Sequence, residues 1–89
     1  MMEMMFGNGL NAGGLDARTR LLLTLAGLTM QGALAEPQIR MTVRQALAAG
    51  TTSQEIAEAI GLAGLFGGMP SMNKAMELAK AVIDEGEED

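Results

Sequence analysis

Two stretches of the chain are apolar around their whole circumference. The first lies within LDARTRLLLTLAGLTMQGALA, where Asp16 is placed to cap the free N–H groups of the following turn and Gly32 to stop a helix that ends near Gln31. Between Leu21 and Leu28 no face of that helix is polar, so it has no side to offer solvent. The next segment reads differently. Glu36 and Pro37 open a helix and Gly50 closes it, with one apolar stripe of Ile39, Val43, Ala46 and Leu47. Thr42 lies three residues after Ile39 and four before Ala46, which aims a hydroxyl at the buried side. In TTSQEIAEAI, Thr52 and Glu55 form a capping box, and Glu55 and Glu58 share one side of the helix they start. From Ala59 to Phe66 that helix is also apolar all round. Gly67 and Gly68 end it, and Pro70 opens a last helix that reaches about Glu85 before Gly86.

The pattern predicts an all-α protein, a small helical bundle in one domain over residues 15–85. It is preceded by a Met/Gly-rich arm (1–14) and followed by an acidic tail (86–89). A bundle of this size has few helices with which to surround two that lack a polar face. Other copies of the chain are the simplest remedy, so a homo-oligomer with a largely apolar interface is expected.

Composition sharpens this picture. Hydrophobic residues make up 48% of the 89 but aromatic residues only 2%, so Leu, Ile, Val, Ala and Met must fill the core, as suits packed helices. The sequence has no cysteine and no histidine. That leaves no disulfide, no thiolate and none of the commonest zinc ligand, and no metal or other cofactor is expected. Four methionines among the first five residues invite a copper reading through thioether ligands; a greasy arm docking on a neighbour explains them more simply. The net charge of −5 opposes nucleic-acid binding. The longest apolar run, residues 21–35, includes Thr24, Thr29 and Gln31 and is too short for a bilayer, and no signal peptide is evident. A cytoplasmic protein without membrane contact is expected.

Two motif readings compete. TSQEIAEAIGLAG looks like the first half of a helix-turn-helix, but the following LAGLFGGMP offers no polar or basic side chain to reach base edges. The longer resemblance runs from about Leu15 to Asp84. LDARTRLLLTLAGLT, EPQIRMTVRQALAAG, TTSQEIAEAI and FGGMPSMNKAMELAKAVI follow in the order and spacing of the carboxymuconolactone decarboxylase family, whose fold is shared with alkylhydroperoxidases. The resemblance implies small helical subunits assembled as trimers or hexamers, and a substrate pocket near the FGGMP segment. Two departures matter. Members resembling the decarboxylase carry a histidine where this chain has Thr42. Members resembling alkylhydroperoxidases use a Cys-x-x-Cys pair, so thiolate peroxidase chemistry is excluded here and an antioxidant role would need a partner's thiols.

The candidate chemistry follows. Arg40 and Arg44 are fixed cations able to hold a carboxylate, although with Glu36 they also read as a surface ladder. Glu55 or Glu58 could move a proton if burial raised its pKa. Thr42 is a candidate substrate contact or a core residue bonded to the carbonyl one turn back. Glu55, Arg40 and Thr42 are thus the catalytic candidates. Arg44, Phe66, Gly68, Met69 and Ser71 are the substrate-binding ones, since the helix start around Pro70 could face a carboxylate and Phe66 and Met69 could form pocket wall. The expected function is binding of a small organic acid or lactone at a subunit interface, with lyase or isomerase chemistry, and the alternative is a catalytically silent assembly or ligand-binding module.

Overall fold

The computed structural model describes residues 14–88, with side chains described for 14–86. The Met-rich arm, apart from Gly14, lies outside the described residues. Four helices and no strands make up the described chain: α1 (Ala17–Met30), α2 (Glu36–Ala48), α3 (Ser53–Gly67) and α4 (Met69–Glu88).

The helix ends follow the local chemistry. The Asp16 carboxylate accepts from the Thr19 N–H at 2.8 Å, and the α3 capping box is complete, with Thr52 Oγ1 and the Glu55 carboxylate each accepting from the other's backbone N–H. Both α1 and α2 stop in the same way. The N–H of Gly32 reaches the Thr29 carbonyl while that of Ala33 reaches Leu28, and Gly50 and Thr51 repeat this pair of bonds to Leu47 and Ala46. These are Schellman turns, each with a glycine at positive φ. Past the other end, α4 runs through Gly86 to Glu88 instead of stopping at Glu85. One helical glycine costs only about 1 kcal/mol, and the Lys80–Asp84 pair, one turn apart, supports the turn before it.

The helices run up, down, up, down, but α2 and α3, consecutive in the chain, scarcely touch. α1 packs on α2 and α3, and α4 packs on α2 and α3. Thus α1 and α3 lie side by side and parallel, as do α2 and α4. The second pair is tied at both ends, by Lys74 to Glu36 and by Arg44 to Glu85 at 3.2 Å. Arg44 therefore leaves the expected ladder and bridges helices, while Arg40 keeps its pairing with Glu36 at 3.4 Å. The core sits where the four meet, with Leu25, Ile39, Val43, Ile56, Ile60 and Ala75 fully buried. The molecule measures 34 × 33 × 20 Å. Its short dimension is about two helix diameters, so every helix keeps an outward face.

The Phe-Gly-Gly-Met-Pro break has a structural cause at both glycines. A Cβ on Gly67 would stand 2.9 Å from the Met30 Cα, so α3 ends in backbone contact with the end of α1. Gly68 has φ 95° and ψ 163°, a conformation essentially reserved for glycine, and joins α3 to α4 as the single residue between them. By contrast, a Cβ on Gly61 in the middle of α3 would meet nothing within 4 Å. Gly67→Ala and Gly68→Ala are each expected to cost about 1–3 kcal/mol in urea unfolding. Gly61→Ala is expected to gain about 0.5–1 kcal/mol.

Candidate functional site

The parallel pair α1 and α3 frames a groove of about 460 Å³. From α1 it is lined by Thr19, Leu22, Leu23, Ala26 and Met30, and from α3 by Glu55, Glu58, Ala59, Leu62, Ala63 and Phe66. Both sets recur at intervals of three and four, the stripe that one face of a helix presents. Because the helices are parallel, the polar residues Thr19, Glu55 and Glu58 gather at the end where both helices begin. Met30 and Phe66 gather at the other end, beside the Gly67 contact.

Of the residues expected from sequence to form a site, Glu55 and Phe66 both line this groove, at opposite ends. The others do not line it. Arg40 and Arg44 lie on α2 and are paired with Glu36 and Glu85. Thr42 is buried, and its hydroxyl donates to the Gln38 carbonyl at 2.7 Å, which is the core role weighed for it. Ser71 is also buried, and its hydroxyl donates back to Gly67 at 3.3 Å. Gly68 serves as the hinge between α3 and α4, and Met69 is exposed.

Electrostatics reverses one expectation. Glu55 is not a carboxyl pushed toward neutrality by burial. The Thr52 backbone N–H and hydroxyl hold it below the usual carboxylate range, with a smaller contribution from the positive charge of Arg18. At neutral pH it is an anion, able to accept a proton but not to donate one. Glu58 lines the groove beside it without a hydrogen bond or ion pair among the described residues.

Sequence reasoning missed the α1 wall of Leu22, Leu23, Ala26 and Met30. The signal was there, since an all-apolar helix leaves part of its surface unclaimed by a small core. What cannot be read locally is that α1 lies beside α3 and not only beside its chain neighbour α2.

A model of the carboxymuconolactone decarboxylase family matches residues 1–81. An uncharacterized 15.0 kDa protein in the nqo9-nqo10 intergenic region of Paracoccus denitrificans is 61% identical over 89 residues, covering all of this chain and 66% of that protein. A 4-carboxymuconolactone decarboxylase of Acinetobacter baylyi is 36% identical over 72 residues, covering 81% of this chain and 52% of that enzyme. The chain thus spans about two thirds of the first relative's length and about half of the second's. No solved structure matches it significantly. The chain belongs to the carboxymuconolactone decarboxylase family. Among the described residues no helix is long and apolar enough to cross a membrane.

The caps carry a pH dependence. Asp16 is held low by Thr19, Glu36 chiefly by Lys74, and Glu55 by Thr52. Carboxylates depressed in the folded state contribute stability that is complete above their unfolded pKa, near 4, and is lost as pH falls through the folded value. The urea midpoint is therefore expected to be flat from neutral pH to about 5 and to fall below about 4. Thr52→Ala is expected to cost about 1 kcal/mol at pH 7 and to flatten part of that acid slope.

Proposed function

We propose that the chain binds a small, largely apolar lactone or organic acid in the α1–α3 groove, at a contact between copies of the chain. A carboxylate at the polar end accepts a proton in lyase- or isomerase-type chemistry. The observation that carries this reading is the groove itself, with apolar walls, a few polar groups gathered at one end and a volume within the range of small-molecule sites. The Acinetobacter relative, named for a lactone substrate, supports the ligand class.

Within that class the geometry favours the lactone over the free acid. The groove is lined by two carboxylates and no cation, Arg40 and Arg44 are engaged on α2, and the positive charge of Arg18 acts on Glu55 less than the cap does, so an ionised ligand gains little at the polar end. Glu58 is the better proton acceptor of the two, because Glu55 is committed to the α3 cap. A proton taken from carbon next to a lactone carbonyl would pass to the Glu58 carboxylate and return at another carbon.

A second reading, the catalytically silent module, is favoured by one observation. Thr42, where the family resemblance places a histidine, is buried with its hydroxyl bonded to its own helix. Nothing there replaces a proton carrier, so decarboxylation has lost its expected agent.

Calorimetric titration with lactones and the matching open-chain acids is expected to show at least about tenfold tighter binding of the lactones. Proton exchange into the bound lactone, followed by NMR in deuterated water, is expected to fall by about 10²–10⁴ in Glu58→Gln. Binding without exchange would establish the silent module, and no binding of either class at millimolar concentration would overturn both readings.

A further inference from the structure

The groove is polar at one end only. Thr19, Glu55 and Glu58 gather where α1 and α3 begin, and every lining residue beyond them is Leu, Ala, Met or Phe. Glu58 and Phe66 stand eight residues apart on α3, and Thr19 and Met30 eleven apart on α1, so the groove runs for about 12–17 Å. Residue size sets its cross-section. Ala63 is buried and Ala26 and Ala59 are half-buried, forming a floor, while Leu23 and Leu62 are exposed and form the rims. Small side chains along the middle thus open a narrow slot between the two helices. At the far end a Cβ on Gly67 would stand 2.9 Å from the Met30 Cα, so α3 meets the backbone of α1 there and closes the slot.

We infer that the ligand of this groove is a lactone carrying an unbranched alkyl tail, with its ring at Thr19, Glu55 and Glu58 and its tail running between α1 and α3 toward Met30 and Phe66. This rests on the proposed function and names the substrate class within it. The volume of about 460 Å³ holds about fifteen groups of water size, of which a bare lactone ring fills less than half. Water does not suit the remainder, since an ordered water needs about 2–4 polar partners and the side chains beyond Glu58 offer none. A tail fits the length as well. An extended chain advances about 1.25 Å per methylene, so beyond a ring of about 5 Å the slot takes roughly six to nine carbons. The flexible thioether of Met30 adapts to the tail's end. A tail on the carbon that bears the ring oxygen leaves the carbon next to the carbonyl at the polar end, within the reach of Glu58 that proton transfer requires. A fatty acid offers the same tail, but its ionised head gains little beside two carboxylates.

Calorimetric titration of the wild type and Ala26→Leu with γ-lactones carrying ethyl, butyl, hexyl, octyl and dodecyl tails tests this, with circular dichroism confirming helix content. Wild-type affinity is expected to rise about two- to fourfold per methylene as far as octyl, and to level off at dodecyl. Ala26→Leu fills the floor of the slot. It is expected to bind the ethyl lactone as the wild type does and the octyl lactone at least about tenfold more weakly. Equal wild-type affinity for the ethyl and octyl lactones would overturn the inference and leave the proposed function standing, and so would an octyl affinity untouched in a helical Ala26→Leu variant. Absence of binding by every lactone of the series sinks the proposed function and the tail with it. The wild-type series decides the matter whatever the stability of the variant.

Discussion

The governing constraint is a shortage of neighbours. Four helices arranged two deep can bury one stripe of each, yet segment 59–66 of α3 is apolar on every side and segment 21–28 of α1 is so but for Thr24, whose hydroxyl bonds its own helix. The core takes Leu25, Ile60 and Ala63 from them and leaves Leu23, Leu62, Leu65 and Phe66 outside. Apolar area left in water forfeits about 25 cal/mol per Å² that burial would return. The groove, its apolar walls and the expectation of a homo-oligomer all follow from that mismatch between helix polarity and helix number.

Much of the architecture was legible because local chemistry wrote it. Asp16, Thr52 with Glu55, Gly32 and Gly50 mark helix ends through hydrogen bonds that span only a few residues, and each does in the structure what its position implies. The same holds for Thr42, whose place between Ile39 and Ala46 put it on the buried side. The end of α4 was misjudged because Gly86 is a weak stop signal, and a helix already supported on one side passes through it.

The site was less legible, for a reason of geometry. Which residues share a groove depends on which helices are neighbours, and here the neighbours of α1 are α2 and α3 while α4 returns beside α2. Arg40, Thr42 and Arg44 were grouped with Phe66 on the strength of residue type and family likeness. The fold puts them on helices that face different ways. Glu55 lines the groove, but its pKa is lowered where burial alone would raise it, because the hydrogen bonds of the cap act on it more strongly than burial does.

The one-residue joint at Gly68 sets the angular phase of everything that follows it. With 3.6 residues to a turn, each added or removed residue rotates the start of α4 by about 100° relative to α3. Ala75, Leu78, Ala79 and Val82, which reach the interior only in the present register, would then swing toward solvent together. Length at that position is therefore as strictly constrained as identity, and in the evolution of such chains a deletion there would be costlier than many core substitutions.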